Sequence, residues 1–134
     1  MKHVLDASVA VAALRSDERF HAAALAHCRP FFARRDDVVV PAIFDIEVTA
    51  ALVRRGVDPA DVAMLFRKHL SSRKLAPIGP RVVRAVRGIV SATKMRAADA
   101  LYVWVAQRDG VPLVTVDDEI LTRAAIVGVT ARRP

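Results

Sequence analysis

Four carboxylates stand at positions where the surrounding residues are apolar. Asp6 follows the pair Val-Leu, and Asp117 follows the run Leu-Val-Thr-Val, so each lies at the carboxyl end of a predicted strand. Glu47 lies on the inward stripe of a predicted helix, and Asp99 interrupts the apolar run AADALYVWVA. In open α/β sheets, ligands bind in the crevice outside the carboxyl ends of the strands. The four residues are therefore candidates for one functional site.

The chemistry of such a cluster calls for a divalent cation. Burying an unpaired carboxylate is costly, and no Lys or Arg lies inside these apolar runs to serve as a partner. If the four side chains converge, their mutual repulsion raises their pKa values unless a cation neutralises them. Mg²⁺ or Mn²⁺ takes carboxylate oxygens, keeps several waters and leaves positions for a phosphate oxygen and an attacking water. The pattern thus predicts metal-assisted phosphodiester hydrolysis.

Each carboxylate also has a structural explanation that the sequence leaves open. Asp99 could complement the dipole of a first helical turn, and Asp6 could cap the helix that follows it. Asp117 or its neighbour Asp118 could cap the next helix. Glu47 has the weakest explanation of this kind, since it falls in the middle of a helix. The joint occurrence of these acids at two strand ends and on two apolar helices favours the functional interpretation.

Strands and helices are predicted to alternate along the whole chain, as is typical of an α/β domain. The β-branched and apolar runs predict four strands, at Lys2–Leu5, Val38–Val40, Leu113–Val116 and Val127–Val129. Helical spacing and capping residues predict helices at Ser8–Leu14, Phe20–His27, Ala42–Arg55, from Pro59 onward, around Val82–Val90, at Ala97–Gln107 and at Glu119–Ala125. With no linker between two halves, we predict one domain over residues 1–134, a mostly parallel sheet flanked by helices.

Composition excludes several classes of protein. Of 134 residues, 54% are hydrophobic and 26% charged, which is too apolar for a disordered chain. The longest apolar runs fall short of the roughly 18–20 residues that a membrane-spanning helix needs, and the first residues lack the cleavage site of a signal peptide. Cys28 is the single cysteine, which excludes an internal disulfide and is consistent with a reducing cytoplasm. The four histidines lack zinc-site spacing, and no nucleotide-binding glycine motif is present.

The segments that carry the acids are similar to those of a known family. VLDASVAV, PAIFDIEVTAAL, RAADALYVWVA and PLVTVD occur in the order and spacing of the PIN-domain ribonucleases, and the chain resembles the VapC toxins of bacterial toxin–antitoxin pairs. The resemblance implies a PIN-like fold whose acids hold Mg²⁺ or Mn²⁺ for RNA cleavage. By matched motif, the acidic positions are Asp6, Glu47, Asp99 and Asp117. Supporting positions are Ser8 and Thr115, which supply hydroxyls, and Asp118, which could share the role of Asp117.

The resemblance also implies partners. A VapB-type antitoxin is expected to insert a basic residue into the acidic pocket and to cover apolar surface, and a homodimer is expected. The net charge of +7 favours an anionic partner such as RNA. Tyr102 and Trp104 are assigned to the core. The candidates for contacts to the RNA backbone are the basic residues Arg54, Arg55, Arg67, Lys68, Arg73, Lys74, Arg81, Arg84, Arg87, Lys94 and Arg96.

Two other functions fit a domain of this size. A receiver-like signalling domain also places acids at strand ends around Mg²⁺, but it needs paired acids after the first strand and a lysine after the last main strand. This chain has one Asp and no such Lys at those places. A metal-free binding domain whose acids only cap helices is the second alternative. Phosphorylation by a small phosphodonor would identify the first, and failure to bind Mn²⁺ or Mg²⁺ the second.

Overall fold

Five strands and seven helices follow one another in a computed structural model that describes residues 1–134. The strands are β1 (Lys2–Leu5), β2 (Asp37–Pro41), β3 (Lys74–Ala76), β4 (Leu113–Val114) and β5 (Ala131–Arg132). The helices are α1 (Ala7–Leu14), α2 (His21–Phe32), α3 (Ile43–Arg54), α4 (Pro59–His69), α5 (Pro80–Thr93), α6 (Ala97–Asp109) and α7 (Asp118–Arg123), and a 3₁₀ helix spans Ala124–Val127.

All neighbouring strands pair in parallel, in the order β3-β2-β1-β4-β5. The chain builds outward from β1 to β3 on one side and then returns to the other side with β4, which pairs Leu5 with Val114. The strand order therefore reverses between β1 and β4, and the crevice at their carboxyl ends is the position where such sheets bind ligands. The predicted α/β class is confirmed. The order differs from the 2-1-3-4-5 order of receiver domains.

One hydrophobic core lies on and around this sheet. It consists of 33 buried hydrophobic residues in a single cluster, so the residues share one core. Val38, Val39 and Val40 of β2 are all buried, as continuous apolar strands are when helices cover both faces of a sheet. Helix α6 contacts β1, β2 and α5, while α1 packs against α2 and α3. The helix that carries Asp99 therefore packs on the central strand β1, and the helix that carries Glu47 packs on β2 and α1.

Several predicted helix ends are confirmed. Asp58 accepts a hydrogen bond from the amide of Ala60 at 2.8 Å, and Pro59 begins α4. Gly56 follows α3 with φ of +84°, a left-handed conformation that glycine adopts without strain. Gly110 ends α6 in the same left-handed conformation, with φ of +64°. No helix is both long and apolar enough to cross a membrane.

Other predicted boundaries are wrong. Helix α2 runs from His21 to Phe32, five residues beyond its predicted end at His27, and it contains Pro30. Strand β3 was not predicted. The strand expected at Val127–Val129 is replaced by the end of the 3₁₀ helix and by Gly128 in a left-handed turn, and β5 lies further on. These edge strands hold two or three residues each, too few to show an alternating pattern.

Candidate metal centre

The four predicted carboxylates line one cavity at the carboxyl ends of β1 and β4. Its volume is about 270 Å³, and its walls are Asp6, Ala7, Ser8, Glu47, Arg96, Ala98, Asp99 and Asp117. Asp6 directly follows β1, Glu47 lies on α3, Asp99 lies in the first turn of α6, and Asp117 directly precedes α7. Four separate segments of the chain thus bring their acids together at the reversal of strand order.

Asp6 is held by two hydroxyl groups. Ser8 Oγ donates to Asp6 Oδ2 at 2.6 Å, and Thr115 Oγ1 donates to the same oxygen at 2.7 Å. Burial raises the pKa of Asp6, the two hydroxyls lower it, and the nearby charge of Asp117 raises it. Because both hydroxyls bind Oδ2, the carboxylate is oriented while Oδ1 receives neither of them. Ser8 therefore contacts the acid that it was expected to orient, whereas Thr115, expected beside Asp117, donates to Asp6.

Asp117 both caps a helix and faces the cavity. Its Oδ1 accepts from the amides of Glu119 at 2.8 Å and Ile120 at 3.2 Å, so the capping explanation is correct for this residue. Its own amide donates to Thr115 Oγ1 at 3.0 Å. Asp117 Oδ2 takes neither of the capping bonds, and Arg96 approaches it. A cap and a cavity ligand are thus compatible in one carboxylate, since the two oxygens serve different purposes.

Glu47 is hydrogen bonded to a buried tyrosine. The hydroxyl of Tyr102, whose side chain is fully buried, donates to Glu47 Oε1 at 2.6 Å. Burial raises the pKa of Glu47, this hydrogen bond lowers it, and the charge of Asp6 raises it. The core position predicted for Tyr102 is correct, but its contact with the site was missed. A buried phenol needs a partner for its O–H group, and Tyr102 lies three residues after Asp99 on the same helix, so the sequence held a signal.

Asp99 is the carboxylate with the strongest need for a cation. Its Oδ2 is buried and has no hydrogen bond, although the Nε of Arg96 lies 3.4 Å away outside hydrogen-bond geometry. Burial raises the pKa of Asp99 to about 6, with further contributions from the charges of Asp117 and Asp6. A buried oxygen that accepts no hydrogen bond and lies beside other carboxylates fits a hard divalent cation, which takes oxygen ligands.

Two residues of the site were not identified as such from the sequence pattern. Glu119 was predicted only as the start of a helix, yet oxygens of Asp99, Asp117 and Glu119 lie within 4.8 Å of one another. Arg96 was predicted as a contact for RNA, yet its guanidinium lies 3.4 Å from Asp117 Oδ2 and 3.8 Å from Glu119 Oε2. The other oxygen of Glu119 lies 2.8 Å from Arg123. Both assignments depend on side-chain reach, which periodicity does not show.

Asp118 lies outside the cavity. Its side chain is 86% exposed and pairs with the guanidinium of Arg133. The adjacent Asp117 lines the cavity, so the structure separates the roles of two neighbouring acids that the sequence left joined.

The basic residues fall into two groups. Arg55, Arg73 and Lys74 form ion pairs within the chain, with Glu18 at 2.6 Å, Asp45 at 2.5 Å and Asp37 at 2.8 Å respectively. The predicted basic candidates that are exposed and form no ion pair are Arg54, Arg67, Lys68, Arg81, Arg84, Arg87 and Lys94.

Trp104, which was assigned to the core, is half-buried, and the Arg108 guanidinium lies 5.0 Å from its ring centroid.

The sequence of this chain matches a known family of protein domains. The family model of the PIN domain matches residues 3–127. No curated protein matches the chain significantly.

Solved structures share the fold over nearly the whole chain. A protein from Pyrobaculum aerophilum is 25% identical, with a TM-score of 0.71, and the match covers 98% of this chain and 83% of the other. VapC20 of Mycobacterium tuberculosis, a sarcin–ricin loop cleaving toxin, is 17% identical with a TM-score of 0.74 and coverage of 98% and 99%. VapBC2 of Rickettsia felis, bound to a DNA fragment from its promoter, is 13% identical with a TM-score of 0.72 and coverage of 100% and 99%.

Proposed function

The chain belongs to the PIN domain family, and from that premise we propose that it is a divalent-metal-dependent endoribonuclease, acting as the toxin of a toxin–antitoxin pair. The observation that carries this proposal is the cavity in which Asp6, Glu47, Asp99 and Asp117 meet at the reversal of strand order. A buried oxygen of Asp99 without a donor supports it further. We treat residues 1–134 as one PIN-like domain.

The residues present fit Mg²⁺, or Mn²⁺ in its place. We assign Asp6 and Asp99 as the main ligands, with Glu47 and Asp117 as additional ligands, direct or through water. Every donor in this set is a carboxylate oxygen, the type that hard divalent cations prefer. When bound, the cation would polarise a scissile phosphate, stabilise charge that develops on its oxygens and help to ionise the attacking water.

The side chains around the acids orient them for this role. Ser8 and Thr115 fix Asp6 through Oδ2, and the Tyr102 hydroxyl fixes Glu47 through Oε1. Such partners hold ligands in the geometry that binding requires. Asp99, with its pKa raised to about 6, exchanges a proton close to neutral pH when no cation is present. Cation binding therefore competes with protonation at this residue.

RNA is the substrate that the charge distribution and the family favour. The chain carries a net charge of +7, and several exposed basic side chains are free of ion pairs. Phosphate contacts of this kind provide affinity without sequence preference. VapC20, which shares the fold, is itself a toxin that cleaves the sarcin–ricin loop. We propose that RNA phosphates lie across the mouth of the acidic cavity.

Two protein partners complete the proposal: a VapB-like antitoxin and a second copy of the chain. A structure with the same fold is that of a toxin–antitoxin complex from Klebsiella pneumoniae. Apolar side chains are exposed on two surfaces here, at Ile46 and Val53 of α3 and at Ile78 and Val83 beside the groove between α5 and α6. Exposed apolar patches of this kind are typical of interaction surfaces. We place the protein in the cytoplasm.

Incubation of the purified chain with total cellular RNA, with and without Mn²⁺, tests the proposal. We expect cleavage only with Mn²⁺, and we expect Asp6→Asn to reduce it at least about a hundredfold, because a charged ligand becomes neutral. Asp118→Asn is the matched control, since that acid lies next to Asp117 but outside the cavity. Metal-dependent cleavage retained by both Asp6→Asn and Asp99→Asn would contradict the assignment. Failure of the wild-type chain to bind Mn²⁺ would favour the metal-free binding domain.

A further inference from the structure

A second cavity adjoins the acidic one, and we call it the annex. Its volume is about 290 Å³, and it lies between α1, α3 and the segment that joins α1 to α2. Ala7, Ser8 and Glu47 are walls of both cavities. The other walls of the annex are Val11, Ala12, Glu18, Phe20, Ala51, Arg55 and Val116. A molecule bound at the acids can therefore extend directly into the annex.

The annex combines apolar surface with one ion pair. Six of its ten wall residues are hydrophobic, and Val11 and Ala12 among them are buried. Its charged side chains are Glu18, Glu47 and Arg55. Nη2 of Arg55 lies 2.6 Å from Oε1 of Glu18, and these two side chains are 39% and 26% exposed. The annex thus offers a hydrogen-bond donor and a hydrogen-bond acceptor side by side, next to apolar walls.

These properties determine which part of an RNA chain the annex fits. A phosphate would meet two carboxylates and only one guanidinium, whose charge Glu18 already balances. A nucleobase is an uncharged ring with apolar faces and hydrogen-bonding edges, and proteins read unstacked bases through both. Ligand pockets measure about 300–1,000 Å³, so a cavity near the lower limit suits a group of the size of one base. The annex therefore fits a base and not the backbone.

We propose that the annex binds one guanine base of the RNA, beside the phosphodiester bond that the acidic cavity cleaves, and that Glu18 and Arg55 recognise this base. The inference rests on the proposed nuclease function and names the base that the site selects. Phosphate contacts provide affinity without sequence preference. Guanine recognition in the annex would supply the preference that those contacts lack.

Guanine is the base whose edges match this ion pair. It presents adjacent N–H donors at N1 and N2, which a carboxylate accepts together, and acceptors at O6 and N7, to which a guanidinium donates. Adenine, cytosine and uracil each present a single donor group on the corresponding edge, so the carboxylate would accept from one group instead of two. Apart from Arg55, no group of the chain pairs with the Glu18 carboxylate, which leaves acceptor capacity for a base.

Contacts within the chain place both recognition groups before RNA binds. The amide of Glu18 donates to the carbonyl of Arg15 at 3.2 Å, and its own carbonyl accepts from the amide of His21 at 3.1 Å. Nη1 of Arg55 donates to the carbonyl oxygen of Ala51 at 3.2 Å. Because the backbone of one residue and the side chain of the other are already held, less conformational freedom is lost when the base binds.

Cleavage of total cellular RNA in Mn²⁺, followed by sequencing of the new ends, measures the base preference. We expect guanine at one fixed position beside the cleaved bond, preferred at least about tenfold, because paired hydrogen bonds to a base edge discriminate to this extent. Glu18→Gln turns one acceptor into a donor and should abolish the preference while cleavage continues. Asp17→Asn is the matched control, since this neighbouring acid pairs with Arg15 outside the annex, and it should keep the preference.

A short RNA that contains the preferred site tests the contact itself. Inosine in place of its guanosine lacks the amino group at N2, so cleavage by the wild type should fall about tenfold, whereas cleavage by Glu18→Gln should change less than about twofold. Calorimetry should give Glu18→Gln the same Mn²⁺ affinity as the wild type, because Glu18 is not a wall of the acidic cavity.

The outcomes separate this inference from the proposed function. Metal-dependent cleavage without a preference for guanine, or with a preference that Glu18→Gln leaves unchanged, would overturn the inference and leave the nuclease function intact. Equal cleavage of the guanosine and inosine substrates by the wild type would do the same, and the annex would then suit an apolar side chain of a protein partner. If the wild type does not cleave RNA in Mn²⁺, the proposed function and this inference both fail.

Discussion

Two buried titratable residues lie at opposite ends of strand β1: His3 near its start and Asp6 directly after its last residue. The surroundings of His3 and of Asp6 compensate their charge in different ways. His3 is 1% exposed, and its Nε2 lies 3.2 Å from Nε2 of His27 while its Nδ1 has no partner. Burial, helped by His27, lowers the pKa of His3 to about 4, so this residue is neutral at pH 7. Asp6 is 6% exposed, but two hydroxyls donate to it and other carboxylates surround it.

The comparison distinguishes His3, a buried residue that is stable in its neutral form, from the acids around Asp6, whose charges need a counter-ion. At the histidine end, loss of one proton removes the charge, and no ligand is needed. At the acidic end, several carboxylates share one cavity, and protonation of all of them at neutral pH would require pKa values above 7. The pKa of Asp99 reaches only about 6. Several carboxylates within one cavity, in addition to their burial, distinguish this end as the candidate functional site.

The largest expected effect comes from neutralising the acidic end. Asp99→Asn should reduce RNA cleavage at least about a hundredfold through loss of a ligand. The same change should stabilise the metal-free fold by up to about 3 kcal/mol at pH 7.5, because the pKa of Asp99 is raised from 3.8 to about 6 and each pKa unit corresponds to about 1.36 kcal/mol. Urea unfolding in the presence of a chelator measures this. A destabilised Asp99→Asn chain would show that the carboxylate is satisfied without metal.

The next largest effect is on the pH dependence of the unfolding free energy, to which His3 and Asp99 contribute in opposite directions. His3 contributes about 3 kcal/mol that is fully present above pH 6.5 and is lost as the pH falls toward 4, since the unfolded chain binds its proton first. Asp99 acts in the opposite direction: its protonation stabilises the fold as the pH falls from about 6 toward 3.8. Unfolding free energies of metal-free protein between pH 4.5 and 7.5 should therefore fall more steeply with acid in Asp99→Asn than in the wild type.

The variant His3→Gln sharpens this comparison, because it removes the contribution of His3 while His27 and the acids remain. Its unfolding free energy should fall less steeply than that of the wild type as the pH falls from 7.5 toward 4.5. Parallel pH profiles for the wild type, Asp99→Asn and His3→Gln would contradict the pKa differences between the two ends.

The smallest effect concerns the hydroxyl that supports Glu47. Tyr102→Phe removes the donor at 2.6 Å from Glu47 Oε1 and should cost about 1–2 kcal/mol of stability, because a buried acceptor loses its partner. Cleavage should fall less than in Asp99→Asn, since the carboxylate itself remains. A double-mutant cycle with Glu47→Gln isolates the contact. If the two changes are additive, the hydrogen bond does not couple the residues.

The convergence of the acids could be expected from the sequence because it follows from strand chemistry. Asp6 and Asp117 each end an apolar run, and parallel strands bring their carboxyl ends to the same edge. The edge strands could not be predicted in this way. β3 has the sequence Lys-Leu-Ala and β5 has Ala-Arg, without β-branched residues or alternation, and they form by pairing with β2 and β4.

The rest of the site depends on the reach of long side chains between elements. Arg96 precedes α6 and reaches Asp117 and Glu119, the second of which lies in the first turn of α7. Neither position has an unusual spacing, since Arg96 looks like an exposed basic residue and Glu119 like a favourable first-turn acid. Only the approach of the first turns of α6 and α7, which the ion pairs of Arg96 with Asp117 and Glu119 show, brings these ordinary residues beside the acids of the cavity.

The hydroxyl of Thr115 gives the cavity a distinctive order of assembly. It donates to Asp6, which lies 109 positions earlier in the chain, and it accepts from the amide of Asp117. During synthesis Asp6 is added near the beginning and Thr115 near the end. The hydrogen bond between them can therefore form only when most of the chain has been made. The cavity therefore reaches its observed geometry only among the last events of synthesis, after residue 117 has been added.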